Sequence, residues 1–138
     1  MASNDEERIM NVFGTDVIPK VSEENLLTYR QFLLARLDRN TVLTGREDFL
    51  WEEIYIIGPG DKSEYKNLKR SNPSYTDEYI LIDILEEEIE KYDLIAKVKR
   101  LSDGKHFEIG LSWLTTKNRK NKDYQLLDDF ATWVVNWY

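Results

Sequence analysis

Residues 86–90 hold the densest group of side chains that could do chemistry, because Glu86, Glu87, Glu88 and Glu90 surround a single apolar residue, Ile89. The run lies between two stretches with strand periodicity, so we expect its carboxylates to crowd one loop. Calcium would relieve their repulsion, since it takes about six to eight oxygen ligands at roughly 2.3–2.6 Å. The segment is therefore either a calcium site or a solvated acidic surface, which most charge runs are. No EF-hand pattern is present.

A second acidic group lies in residues 47–53. The alternation of residue types over residues 51–57 predicts a strand that places Glu53 on the same face as Trp51 and Tyr55. A partly buried carboxylate needs an arginine, backbone donors or a metal as its partner. Structural pairing is the preferred interpretation of Glu53, and a metal ligand is the alternative.

Other catalytic arrangements lack the residues that they need. The chain has no cysteine, and its only histidine, His106, follows a predicted turn and is expected on the surface. Thiolate nucleophiles, cysteine zinc sites and multi-histidine metal centres are therefore excluded. Asp128 and Asp129 are helical neighbours that point about 100° apart, so we expect them to solvate their helix. Because no P-loop, G-x-G-x-x-G pattern or nucleophile–base pair is present, the sequence predicts no enzyme.

Charge is segregated along the 138 residues, which carry a net charge of −7. Residues 71–93 contain eight acids against one lysine, a sum of −7, whereas residues 94–122 contain eight bases against two acids, a sum of +6. A sequence pI near 4.8 argues against nucleic acid and favours cations or a basic protein as partners. Trp133 and Trp137 share one helical face, which serves either the core or a partner site. No apolar run is long enough for a membrane span or an export signal, so we expect a cytoplasmic protein without membrane association.

The elements that must position these groups are predicted from the spacing of apolar residues. Residues 1–21 are expected to form an N-terminal arm with one short helix, and residues 22–138 a single domain. Helices are predicted over residues 22–39, with Ser22 as N-cap, and over residues 123–137, with Asp123 as N-cap. Strands are predicted at residues 41–44, 51–57 and 79–85, and in a hairpin over residues 94–111 that turns at Asp103-Gly104. The predicted class is α+β: a small bent antiparallel sheet, or an open SH3-like barrel, of about five strands with an N-terminal and a C-terminal helix packed on it.

The order of these features resembles a known family. The acidic run, the hairpin, Leu111-Ser112-Trp113-Leu114 and the terminal Leu126-Leu127-Asp128-Asp129-Phe130-Ala131-Thr132-Trp133 are similar to the small calcium-binding proteins first described in cyanobacteria. The resemblance covers roughly residues 41–137. It implies a compact β-rich bacterial protein without EF-hands that binds calcium through carboxylates, and only Glu86, Glu87, Glu88 and Glu90 carry over as ligands. The chain departs from the family by its N-terminal helix, residues 61–73 and the basic residues 117–122.

Two functions follow from these observations. The leading hypothesis is a cytoplasmic, non-enzymatic calcium-binding protein, a buffer or sensor that uses the carboxylate-rich loop. The alternative is an acidic partner-binding protein of the immunity or inhibitor type, which docks on a basic protein surface through the acidic residues 71–93 and gains association rate from their negative charge.

Overall fold

A computed structural model describes residues 4–90 and 93–138, for residues 87–90 the backbone only. Its described parts combine five α-helices with one antiparallel sheet of five strands, so the predicted α+β class is confirmed. The sheet is open and not closed into a barrel. No described helix has the length and apolar character needed to cross a bilayer. The helices are α1 (Asn4–Phe13), α2 (Glu23–Arg36), α3 (Glu53–Ile56), α4 (Lys62–Ser71) and α5 (Lys122–Asn136).

The five strands pair in the order β4-β3-β2-β1-β5. The predicted hairpin is confirmed, with Val98 opposite Phe107 and Gly104 in the left-handed conformation at its turn (φ 76°). The sequence predicted a strand at residues 51–57, and this prediction is wrong. The fifth strand instead lies at residues 114–116 and pairs with Leu43, Thr44 and Gly45. The strands are β1 (Leu43–Gly45), β2 (Tyr79–Glu90), β3 (Asp93–Arg100), β4 (His106–Gly110) and β5 (Leu114–Thr116).

Helix α2 begins where the sequence predicted, because the Ser22 hydroxyl oxygen accepts a hydrogen bond from the Asn25 N–H at 3.2 Å. Helix α5 begins one residue before the predicted cap: Asn121 is the N-cap, and Asp123 lies buried in the first turn. The Asp123 carboxylate instead accepts hydrogen bonds from the Asp38 N–H (2.9 Å) and the Thr41 hydroxyl (2.7 Å). It therefore ties α5 to the chain that leaves α2.

The core lies where α1, α2 and α5 meet one face of the sheet. Tyr29 of α2 packs against Phe130 and Trp133 of α5, with ring centroids 5.0 and 5.1 Å apart. From the N-terminal segment, Ile9 is fully buried in the same core and Phe13 lies 5.7 Å from the Tyr29 ring. Helix α1 is therefore part of the packed core.

Arg100, at the end of β3, joins the hairpin to α4. Its guanidinium is 3% exposed and donates to Asp103 (2.7 Å) and Asp77 (2.9 Å). It also donates to the carbonyl oxygens of Lys69, Arg70 and Asn72 at the end of α4, at 2.7–3.0 Å. These backbone acceptors are ones that a helix C-terminus leaves unpaired. Arg100 therefore holds α4, and with it one side of the candidate site, against the sheet.

Candidate functional site

The acidic residues 86–90 lie in strand β2 and not in the loop that the sequence predicted. At the end of the strand Ile89 pairs with Leu94 and Glu90 with Asp93. At these two positions, pairing supplies hydrogen-bond partners that the backbone of an open loop would have to find elsewhere, which favours a strand. The register shifts between Ile84 and Ile89, so the strand is irregular as it enters this segment.

Of the predicted calcium ligands, only the Glu86 side chain lies within the described residues, and it is exposed. The side chains of Glu87, Glu88 and Glu90 lie outside them. Among the side chains that the structure does describe, no three histidine, aspartate or glutamate groups are arranged to hold a metal ion. Asp93, opposite Glu90 in the register, accepts hydrogen bonds from the Ser112 hydroxyl (2.6 Å) and N–H (3.2 Å).

The second acidic group lies on a helical segment, so the predicted strand over residues 51–57 is wrong. Residues Leu50–Glu52 form a 3-10 turn that leads directly into α3. The two periodicities give opposite results for neighbouring glutamates: Glu53, which the strand pattern predicted to be partly buried, is exposed, and Glu52 is fully buried. The glutamate that needs a partner is therefore Glu52.

Glu52 is the internal anchor of this segment. One carboxylate oxygen accepts hydrogen bonds from the N–H groups of Phe49 (3.2 Å) and Tyr75 (3.0 Å), and the other accepts one from the Tyr65 hydroxyl (2.9 Å). Burial, followed by this hydrogen bond to Glu52, raises the pKa of Tyr65 to about 12. Three donors satisfy the buried carboxylate, which gives it a structural role. Its partners come from three different parts of residues 49–75.

The outer side of the same segment is apolar and exposed. Leu50, Ile54 and Ile57 follow one another at i, i+4 and i+7, so they share one helical face, and they are 70%, 53% and 80% exposed. Ile56 beside them is 42% exposed. The described residues include eight large apolar side chains that are exposed, and four of these eight lie within residues 50–57. We call these four side chains the ridge.

An aromatic cluster supports the ridge from one side. Tyr55 and Tyr65 stack with ring centroids 5.1 Å apart, and Trp51 lies 5.7 Å from the Tyr65 ring. The Trp51 indole N–H donates to the carbonyl oxygen of Pro73 at 2.7 Å. Residues 50–57 are thus bound to α4 and to the chain that follows it, so the exposed apolar face belongs to a tightly packed segment.

Two glycines close the end of the ridge. The Gly60 N–H donates to the carbonyl oxygen of Ile54 at 2.8 Å. A Cβ atom added at Gly60 would lie 2.5 Å from the Tyr55 ring, and one added at Gly58 would lie 2.9 Å from the Ile54 carbonyl oxygen. Only glycine allows this close approach of the turn to α3. The turn at residues 58–60 therefore ends α3 and packs against it.

Carboxylates surround the ridge. Residues 47–64 contain six acids and one lysine, and of the six only Glu52 is buried. Burial and then the nearby Glu64 carboxylate raise the pKa of Tyr55, with Asp61 adding to the effect. Glu53 and Glu47 are exposed on the same segment. The segment that carries the ridge is therefore acidic, with five carboxylates that are not buried.

The remaining candidate residues are placed as follows. His106 is exposed, as predicted. Asp129 does not solvate its helix, because it is 5% exposed and accepts two hydrogen bonds from Arg8, at 2.7 and 3.1 Å. Asp128 pairs with Arg46 at 3.0 Å. Of the two tryptophans of the last helix, Trp133 is fully buried and Trp137 is half-buried, so neither is an exposed partner site.

The sequence reasoning missed Leu50, Ile54 and Ile57 as a surface. The signal was present as the i, i+4, i+7 spacing, but Trp51, Tyr55 and Ile57 also fit a period of two. Comparison with protein-family models found no matching family, and comparison with curated proteins and with solved structures found no significant match.

Proposed function

We propose that this chain is a non-enzymatic binding protein that docks a basic protein partner on the ridge. One observation carries the proposal: Leu50, Ile54 and Ile57 are more than half exposed on one face of a segment that Glu52 fixes from within. Single exposed apolar residues are ordinary, whereas a contiguous apolar patch with a polar rim is typical of protein–protein contacts. The proposal keeps the partner-binding function that the charge predicted and moves its surface from residues 71–93 to residues 47–64.

Charge indicates the chemistry of the partner. Because carboxylates dominate residues 47–64, the complementary surface is an apolar pocket rimmed by lysine and arginine. Isoleucine and leucine side chains would fill that pocket, and the exposed Glu53 and Glu64 would pair with its rim. Such an arrangement speeds encounter at low ionic strength and rejects acidic surfaces.

The test begins with tagged parent protein and two variants, L50S/I54S/I57S and V135S, each purified from native cells at low ionic strength. Val135 is 62% exposed on α5 and serves as the matched apolar control. A protein that copurifies with the parent is then identified, expressed separately and mixed with each pure variant. We expect parent and V135S to bind equally, and the ridge variant to bind about 30-fold more weakly or worse, as loss of an interface hot spot of ~2 kcal/mol implies.

Two further measurements make the result specific. Association with E53Q/E64Q is expected to be slower than with the parent, and the difference is expected to shrink as salt is added. Binding is expected to be unchanged by a calcium chelator. Equal binding of the ridge variant, or self-association of the pure protein through the ridge, would contradict the proposal.

Calcium binding by Glu86, Glu87, Glu88 and Glu90 is a second proposal. The observation that favours it is the register of the β2–β3 hairpin, which places Asp93 opposite Glu90 and so adds a fifth carboxyl residue to the segment. The Asp93 carboxylate is oriented by Ser112, as carboxylates near metal ions are commonly oriented by neighbouring donors.

Calorimetry at physiological ionic strength tests this second proposal. We expect saturable calcium binding by the parent and little binding by E86Q/E87Q/E88Q/E90Q, because the substitutions keep side-chain shape and remove charge. E47Q, outside the strand, is the control and should bind as the parent does. Equal binding by parent and quadruple variant, or no binding by the parent at millimolar calcium, would contradict a site at these glutamates.

A further inference from the structure

Helices α1, α2 and α5 line a cleft of about 320 Å³ that shares no residue with the ridge or with the acidic residues 86–90. Each helix contributes one face at helical spacing, and the volume is within the range of small-molecule sites. Three of the ten lining residues are purely apolar, and the other seven carry polar or charged groups. The lining residues are Arg8, Asn11 and Val12 of α1, Tyr29, Phe32 and Arg36 of α2, and Lys122, Gln125, Leu126 and Asp129 of α5.

Tyr29 forms the inner part of this cleft. Its side chain is 1% exposed, and its ring lies 5.0 Å from the Phe130 ring and 6.0 Å from the Phe32 ring, centroid to centroid. Burial raises the pKa of this hydroxyl, so it keeps its proton at neutral pH and can donate. Tyr29 lines the cleft, so its hydroxyl is a donor that a ligand oxygen in the cleft could accept from.

The cations of the cleft outnumber its carboxylates. Asp129 is the only acidic lining residue, and it is occupied by Arg8 and by the Gln125 amide, which donates to it at 2.9 Å. Arg36 and Lys122 pair with no carboxylate among the described residues. The Arg36 guanidinium lies 3.8 Å from the centre of the Phe32 ring, over which it stacks. Three cations and one carboxylate leave the cleft positive on a protein of net charge −7.

We infer that this cleft binds a small organic anion with an apolar body. Its acidic group would pair with Arg36 and Lys122, and its apolar part would lie on Phe32 and Leu126. The Tyr29 hydroxyl would donate a hydrogen bond to a ligand oxygen. An arginine that is both exposed to the cleft and stacked on an aromatic ring suits a planar carboxylate, because its fork of donors matches two oxygens.

Phenylacetate is the probe, because it joins one carboxylate to one ring. It is titrated into ¹⁵N-labelled full-length protein while the side-chain amide signals of Asn11 and Gln125, both in the cleft lining, are followed by NMR. We expect saturable shifts of these two signals. Benzyl alcohol, which lacks the charge, and inorganic phosphate, which lacks the ring, are expected to bind at least tenfold more weakly.

Two variants locate the binding. R36Q/K122Q removes two cleft charges and is expected to weaken phenylacetate binding at least tenfold, whereas K62Q/K66Q makes the same charge change on exposed residues of α4 and is expected to bind as the parent does. Y29F keeps the buried ring and removes only the hydroxyl, so its thermal stability should stay close to that of the parent. Its affinity for phenylacetate is expected to fall about tenfold.

Several results would overturn the inference. Phenylacetate that produces no saturable shift at millimolar concentration would exclude the site. Equal binding by benzyl alcohol would exclude the anion, and equal binding by phosphate would exclude the apolar body. Parent-like affinity in R36Q/K122Q or in Y29F would remove the roles assigned to these residues.

Discussion

Helix α5 and the ridge both carry apolar side chains at helical spacing, but only those of α5 are covered. Phe130 and Trp133 of α5 are fully buried under α2, and the Trp133 indole N–H donates to the Pro19 carbonyl oxygen at 2.9 Å. In the ridge, Leu50 and Ile57 remain 70% and 80% exposed although the segment below them is tightly bonded. Spacing therefore decides where a helix presents its apolar face, and the neighbouring elements decide whether that face is covered.

Residues 50–57 are held to the protein by the Glu52 carboxylate and the Trp51 indole, so their inner face is occupied by hydrogen bonds and aromatic contacts. The apolar face on the other side of the segment is exposed. Helix α5 also carries buried polar anchors, Asp123 and Asp129, but its apolar face packs in the core.

The largest effect on stability is expected from a substitution in the buried face of α5. Phe130→Ala removes a fully buried ring that contacts Tyr29 and Trp133, and we expect it to lower the free energy of unfolding by about 3–5 kcal/mol. Urea denaturation followed by tryptophan fluorescence measures the change. A loss below about 1 kcal/mol would show that α5 is not packed in the core as described.

The next effect concerns the anchor. Glu52→Ala leaves the donors of Phe49, Tyr75 and Tyr65 without their acceptor, so we expect a loss of about 3 kcal/mol of stability. Glu53→Ala, at the exposed neighbouring position, is the control and should change stability by less than about 0.5 kcal/mol. Urea denaturation of both variants measures the two losses of unfolding free energy. Equal losses would mean that the two glutamates have equivalent surroundings, against the helical assignment of this segment.

A pH-dependent effect is expected where Arg100 holds α4 against the sheet. Hydrogen bonding to Arg100 lowers the pKa of Asp103 from 3.8 to about 2. Because the folded-state pKa is below the unfolded one, Asp103 stabilises the fold above pH 3.8, and this contribution is lost as pH falls towards 2. Asp103→Asn should flatten the stability curve in that window, whereas Asp16→Asn, an exposed control, should keep the parent's slope. If the parent and Asp103→Asn had the same dependence of stability on pH, the Asp103 carboxylate would not stabilise the fold as described.

The smallest effect on stability is expected at the ridge itself. L50S/I54S/I57S replaces exposed side chains, so its unfolding midpoint in urea should match that of the parent within the change expected for surface substitutions, about 0.5 kcal/mol each. Phe130→Ala, by contrast, is expected to lower the stability strongly. A large loss in the ridge variant would mean that the ridge stabilises the fold and has no spare surface for a partner.

Much of the fold follows from local signals in the sequence. Ser22 caps α2, and Asp103-Gly104 turns the β3–β4 hairpin, because both depend on residues a few positions apart. The strand β5 was missed because Leu114, Thr115 and Thr116 are too short a run to be recognised without their partner β1. Long-range pairing of this kind leaves no periodicity in the sequence.

The candidate site was less accessible to sequence reasoning. Over residues 51–57 a strand pattern and a helix pattern fit the same apolar residues. The strand pattern predicts that Glu53 is partly buried, whereas in the helical segment Glu52 is buried and Glu53 is exposed. The Arg8–Asp129 ion pair joins residues 121 positions apart, so no local pattern could indicate it. Burial of a charged residue depends on which distant partner reaches it.

Photo-crosslinking in native cells tests whether a protein partner docks on the ridge, because it captures whatever contacts the ridge inside the cell. A photoreactive benzoyl-phenylalanine is introduced at Ile57 and, separately, at Val135, which is exposed to a similar degree on α5. We expect one discrete protein adduct from position 57, weakened when Glu53 and Glu64 are changed to glutamine, and no corresponding adduct from position 135. The same adducts from both positions, an adduct with the mass of two copies of this chain, or none from position 57 would contradict the proposal.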